Sequence, residues 1–515
     1  MFAALASLAI GLAGCSATER DSPPAATEYL LGTSAPRPAA RAEADPLIRL
    51  ANAYPVAVTG LRLPDDWIAR QFADTSPTTR LARMVAFGPE GGKSEADFYR
   101  WLGLPAFADE AGDTTFLGAN RVADANGAGL TFGCLSCHSQ NFFGTVVIGM
   151  GNKASRSNAL FVRAKSFFEP TPTALLAARD PAEAAMLRST RTRLHSVGAQ
   201  LPKALGLDTA LAQVSLSLAR RDIDADASLT PLYAAHPRTD AFDEVVADSK
   251  PIDWWIVRHK DRWLSDGSLI TGDVVVTAIL WNEIGRGTDL GELRQWLAAN
   301  PDAVAGLRRV VDSAMPPRIE DFVVDPVDPA AARRGEAHFL ATCSRCHGVY
   351  RKDWSRGIRT VAVEYPQPTA VRNVGTDAGR AKGMTYLAAR LNRLAISDDF
   401  DLGFTVTGGY VPPPLTGIWS RYPYLHNRSI PNLCALLTPE QQRVRSYYVG
   451  TTDDIDRDFD GDCVGYPVAA APAAWRSRAR LFDTRRAGLS NRGHPFFTTR
   501  SSDEKRELIE FLKTL

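Results

Sequence analysis

Among the residues that can do chemistry, one spacing occurs twice: Cys134-Leu135-Ser136-Cys137-His138 and Cys343-Ser344-Arg345-Cys346-His347. Two thiols at this spacing can each form a thioether to a porphyrin vinyl, and the adjoining His is placed to ligate the iron. Zinc would need further ligands at paired spacing, and none are near. Each motif therefore predicts one covalent c-type haem. Cys134 and Cys137 attach the first haem and Cys343 and Cys346 the second, with His138 and His347 as proximal ligands. Function turns on the sixth iron position. A strong protein ligand there makes an electron-transfer haem, whereas an open position makes a site for peroxide or dioxygen. Six other histidines are candidates: His195, His236, His259, His338, His426 and His494.

For the first haem, no His lies between His138 and His195. Met150, in Val147-Ile148-Gly149-Met150-Gly151-Asn152, is an alternative ligand, although a Met among glycines can equally line a pocket. The reading is an open or weakly occupied sixth position, which makes the first haem the reactive one. No Met follows Met384, so the C-terminal region offers no thioether ligand.

The chain has 515 residues and a net charge of +1, which argues against a nucleic-acid partner and against a broad polybasic membrane patch. Phe2 to Ala13 is apolar and ends in Leu12-Ala13-Gly14-Cys15, as in a lipoprotein signal, although no basic residue precedes it. Residues 1–14 are expected to be the signal and Cys15 the lipidated residue. An ordinary cleaved export signal is the alternative, and both readings place the chain outside the cytoplasm. Ser16 after the Cys is compatible with outer-membrane sorting, so the expected location is the periplasm or cell surface. Of seven cysteines, four hold haem and one is lipidated, leaving Cys434 and Cys463. In an oxidising compartment that pair predicts a disulfide worth about 3 kcal/mol, the alternative being two unpaired thiols.

These sites need elements to position them. Residues 15–46, rich in Ala, Pro, Ser and Thr, are expected to be a flexible tether. Helical patterns alternate with Gly- and Pro-rich loops from Leu47 onward, with few period-two strand runs. The expected fold is mainly α: two cytochrome c-type haem domains, with long loop-rich elaborations on the first. A Pro-punctuated boundary at Val323 to Ala330 separates a first haem domain, 47–325, from a second, 326–515. Ala331 to Leu340 predicts a helix carrying Gly335 and Phe339 into the second site. Ser501 and Glu504 form a capping box opening a last helix, with Leu508, Ile509, Leu512 and Leu515 on one face. Gly127, Gly129 and Gly133 leave no clean helix leading into Cys134. Asp456-x-Asp458-x-Asp460-Gly461 matches the opening of an EF-hand loop, yet Pro467 stands where the closing Glu belongs. Calcium is weakly supported, and a solvated acidic turn is the preferred reading.

Pro412-Pro413-Pro414-Leu415-Thr416-Gly417-Ile418-Trp419, followed by Tyr422-Pro423-Tyr424-Leu425-His426-Asn427, resembles the bacterial di-haem cytochrome c peroxidase superfamily. Leu489-Ser490-Asn491-Arg492-Gly493-His494 is similar to its branch related to the di-haem rubber oxygenases, the RoxA-like proteins. The resemblance covers 326–515 well and the first half more loosely. It implies that His494 is the distal ligand opposite His347, and that His426 packs near the haem without ligating it. It also implies, through Asp253-Trp254-Trp255 and Arg258, an aromatic pair at the first haem with Trp255 between the two haems; a pair that only packs is the alternative. The function so implied is peroxide reduction at the first haem with electrons arriving through the second. Dioxygen-dependent cleavage of an apolar alkene or polyisoprenoid is one alternative, and non-catalytic electron transfer another. Expected partners are a small periplasmic donor of cytochrome c or cupredoxin type and a small oxidant. No nucleic acid is expected, and membrane contact only through the lipid anchor.

Overall fold

The computed structural model describes residues 25–515 apart from 27, 33–35, 39–44, 54–56, 109–113, 125–126, 173–175, 177 and 230–246. Cys15, the expected signal and His236 lie outside the described residues. About 41% of the chain is helix and 14% strand, so the fold is mixed and the expectation of a mainly α chain is corrected. The strands are short, mostly two to six residues, and most belong to hairpins. Such lengths are too brief to show period two.

One of these hairpins follows His138 directly. Ser139–Phe142 pairs antiparallel with Thr145–Ile148, and both residues between them have positive φ, 54° at Phe143 and 84° at Gly144. That is the backbone of a primed two-residue turn, in which Phe is an unusual first residue. Thr145–Ile148 is buried throughout. Its other edge takes Glu28–Leu30 in parallel, with Tyr29, Leu30 and Leu31 buried. Part of the expected tether is therefore built into the sheet: three consecutive apolar residues outweigh the polar composition around them.

Two helices dominate the packing of the first half. Val274–Gly285 begins at Asp273, whose carboxylate accepts from Val275 and Val276 N–H, and is buried over nearly its whole circumference. Ala210–Leu218 packs along it. An apolar helix of this kind belongs inside a structure. The core formed with it also takes in Met384, Leu391, Ile396 and Phe404. A second core joins Leu30, Phe142 and Trp255 to Trp419, Tyr466 and Phe511. Packing therefore runs across position 325/326.

In the second half, Pro329–Thr342 starts at Asp328, which caps Ala330 and Ala331 N–H. It crosses the C-terminal helix Ser502–Lys513, which opens with the capping box Ser501/Glu504. A Cβ on Gly335 would lie 1.9 Å from the Glu507 carbonyl oxygen, so only glycine permits the approach. Phe339 fills the crossing against Phe511 at 5.1 Å between ring centroids, and Leu508, Ile509, Leu512 and Leu515 are buried. Cys434 and Cys463 are joined as a disulfide across a sequence separation of 29. Gly335→Ala is expected to destabilise the protein by about 1–3 kcal/mol, since backbone must move to admit the methyl group. A fall in the denaturant midpoint at unchanged slope checks this.

Candidate haem sites

Cys134 closes the strand Gly127–Phe132 through Gly133 and opens a single 3-10 turn, Cys134–Ser136. No α-helix leads into Cys134. The hydrogen bond from His138 N–H to the Cys134 carbonyl folds the motif back so that both thiols and the imidazole line one cavity of about 260 Å³. Its wall is largely apolar, with Leu160, Phe161, Leu211, Val214, Val275 and Ile279 prominent. His138 Nδ1 lies 3.0 Å from the Ile252 carbonyl oxygen. A carbonyl only accepts, so Nδ1 carries the proton and the Nε2 lone pair is free for a metal. The ring lies against Trp254, with centroids 5.4 Å apart. Burial pushes the His138 imidazole down to about 4, which keeps it neutral as a ligand must be.

The second motif ends Pro329–Thr342 and continues in the turn Ser344–His347. Cys343, Cys346 and His347 line a cavity of about 230 Å³ with Phe339, Leu415, Leu433 and Leu512. His347 Nδ1 donates to the Pro413 carbonyl at 2.8 Å, repeating the orientation seen at His138. Across the cavity stands His494, its ring centroid 6.3 Å from that of His347. Metal–nitrogen bonds of about 2 Å on each side of one ion would set facing imidazole centroids about 6 Å apart. His494 sits at φ 51° after Gly493 at φ 78°. Its N–H donates to the Val374 carbonyl at 2.8 Å, and Arg443 holds the Asn491, Gly493 and His494 carbonyls. The ring is half-buried, burial holds it near 4, and its Nδ1 is buried without a hydrogen bond.

The other candidates go elsewhere. His426 lines the second cavity but stacks flat on Tyr410 at 3.8 Å, while Asn427 beside it holds the Gly488 and Ser490 carbonyls. His195 pairs with Glu169 and His338 with Glu507. His259 ends the turn Trp254–His259 and lines neither cavity. Met150 does not line the first cavity: it is fully buried in the core, and its sulfur accepts from Lys153 Nζ. Trp255 lines neither cavity. Its Nε1 donates to the Thr416 carbonyl at 3.0 Å, tying the segment that holds His138 to the loop that holds His347. Of the aromatic pair, Trp254 is the one that faces a cavity. The acidic run at 456–460 is engaged internally: Asp458 accepts from Arg457, Thr451 and Asp453 N–H, and Asp460 from Asp462 and Cys463 N–H. Among the described residues, no three His, Cys, Asp or Glu side chains converge as a metal cage.

Sequence reasoning missed the two carbonyls, because a backbone acceptor has no side-chain signature. Pro413 lies in a proline run whose carbonyls pair with no ladder, which is the one available hint. It also missed Asp208, a carboxyl in the first cavity whose titration burial pushes upward, and the buried pair between Arg421 and Asp253. Arg421 Nε lies 2.9 Å from Asp253 and its Nη1 donates to the Pro414 carbonyl, while Asp253 accepts from Gly151 N–H. This pair joins the walls of both sites.

The site chemistry fits covalent haem. Each cavity is lined by two half-buried thiols, and burial pushes Cys134 and Cys343 up to about 12. Each also presents, beside its thiols, an imidazole whose Nδ1 is held by a backbone carbonyl and whose Nε2 is left for a metal. Residues 409–448 match the family described as RoxA-like, cytochrome c-like. The matched stretch supplies Tyr410, Pro413, Leu415, Arg421 and His426 to the second cavity. Cytochrome c character and haem binding are therefore supported. The chain is 29% identical over 258 residues to the uncharacterised protein y4iJ of Sinorhizobium fredii, and 27% identical over 244 residues to the uncharacterised protein y4iM of the same organism. Each alignment covers 39% of this chain, and the chain spans 41% and 51% of those relatives.

Arg421→Met is expected to cost about 3–5 kcal/mol, because it leaves Asp253 charged and buried without its partner. Thermal unfolding of the variant checks this. The double variant with Asp253→Asn should recover part of the loss, as a coupled pair does.

Proposed function

We propose that this chain is a di-haem oxidoreductase that accepts electrons at the Cys343/Cys346 site and delivers them to peroxide at the Cys134/Cys137 site. One observation carries the reading: the two cavities share a motif but differ opposite the proximal imidazole. His494 faces His347, whereas the described lining of the first cavity holds no second His and no Met or Tyr. Bound there, haem iron supplies reversible one-electron exchange where two imidazoles hold it and oxidant binding where one face is open. The protein's part is positioning. Ile252 and Pro413 fix which nitrogen of each imidazole points inward. The wall of the first cavity is largely apolar, and Asp208, whose carboxyl burial shifts upward, is placed there to pass a proton to a reacting oxygen. The disulfide Cys434–Cys463 supports an oxidising compartment, hence export, with Cys15 as the lipid anchor and a small cytochrome c or cupredoxin as donor.

A second reading rests on the same apolar wall together with the RoxA-like match: dioxygen-dependent cleavage of an alkene at the first site. Assay of the purified protein with peroxide and with a polyisoprenoid separates the two.

The ferric protein is expected to show one high-spin and one low-spin EPR signal. Two low-spin signals unchanged by half-reduction would leave only an electron carrier. His494→Ala should convert the low-spin signal to high-spin while the first signal stays. Asp208→Asn should lower peroxide turnover by about 100-fold. Since burial raises the Asp208 carboxyl, wild-type turnover should fall as pH rises through its titration, and the Asn variant should lose that dependence.

A further inference from the structure

The two cavities share a wall. Lys250, Ile252, Leu264 and Ser265 line both, and Lys260 lines the second alone among the two. This wall is cationic, and further cations line each cavity, Arg286 and Arg380 the first and Arg372 and Arg421 the second. Lys260 is 8% exposed, and no ion pair or hydrogen bond to its ammonium occurs among the described residues. Lys250 Nζ donates to the Arg421 and Pro423 carbonyls at 3.2 and 3.3 Å. An ammonium has three N–H donors, so one remains, and no carboxylate forms an ion pair with it. The nearest acid, Asp253, is held by Arg421. The Ser265 hydroxyl is buried and has no hydrogen-bond partner. Burial without an acid partner pushes Lys250 down to about 7 and Lys260 to about 8. Buried ammonium groups and an orphaned hydroxyl are costly unless an anion meets them.

We propose that Lys250, Ser265 and Lys260 form an anion seat for haem propionates, with the Lys250 ammonium shared between a propionate of each haem and Lys260 serving the second haem only. The ligand class is the carboxylate, and each porphyrin brings two. The inference rests on the reading that both cavities hold haem. It makes Lys250 a positioning residue that couples the two sites by charge, since one ammonium lies within the field of both carboxylates.

The test is redox potentiometry of the haem-loaded protein, with the two haems told apart by their spin-state signatures. A haem assay comes first: fewer than two haems per chain overturns the underlying reading, and with it the shared seat. With two haems present, Lys250→Met is expected to lower both midpoint potentials, because loss of a cation beside each propionate favours the ferric state. Lys260→Met should lower only that of the haem on Cys343 and Cys346, and Lys250→Arg should keep both near wild type. Lys250→Met with neither potential changed, or only one, overturns the shared contact while leaving the two-haem reading intact. An unmoved second potential in Lys260→Met overturns the role of Lys260. A structure of the haem-loaded wild type needs no variant: Lys250 Nζ is expected within hydrogen-bond distance of a propionate from each haem, and its absence from either one overturns the proposal.

Discussion

Both sites hang on one kind of contact, an imidazole N–H given to a backbone carbonyl. His138 donates to Ile252 and His347 to Pro413. An imidazole beside a large cavity could rotate about its χ angles, and the carbonyl removes that freedom while settling the tautomer. The acceptors must themselves be rigid. Pro413 lies in a triple-proline run, and Ile252 lies one residue before Asp253, whose carboxylate is locked to Arg421. Arg421 returns to the Pro414 carbonyl, and Trp255 to that of Thr416. The two carbonyls are thus parts of one hydrogen-bonded wall.

Burying an Arg–Asp pair is costly, and such a pair is weak evidence for stability. Its value here lies in specificity of position. The pair joins residue 253 to residue 421, segments that belong to the surroundings of different haem motifs. The cores show the same crossing, since Phe142 and Trp255 pack in one cluster with Trp419 and Phe511. Packing shared by the surroundings of the two Cys-x-x-Cys-His motifs holds the two cavities at a fixed separation.

The sites were legible to very different degrees. The Cys-x-x-Cys-His motifs could be read directly, since such a motif is a local device, and the structure gathers the thiols and imidazole of each at one cavity. The second site's helices were legible as well: Gly335, Phe339 and the Ser501/Glu504 box are local signals for a helix crossing and a helix start. The expectation that no clean helix enters the first site agrees with the strand found there, but the strand itself was invisible, as were the hairpin after His138 and the strand at Glu28–Leu30. Short strands are stabilised by partners remote in sequence, so composition around them misleads. Met150 stood as a ligand or as a residue lining the pocket, and only packing shows it buried in the core with its sulfur turned to Lys153.

The chain by itself determined the two motifs, each with two thiols and an adjoining imidazole, and a separate Cys pair that the structure joins. Covalent spacing decides these, and spacing is a property of sequence. Only the tertiary structure decided what faces what. It brings the His494 ring to 6.3 Å from that of His347 across 147 residues of chain, counted from 347 to 494. It sends Trp255 to Thr416 instead of into a cavity, and leaves Lys250 in the wall common to both cavities and Lys260 in that of the second. Loops of glycine, proline and polar residues set those relations, and their paths depend on long-range burial that no local pattern encodes.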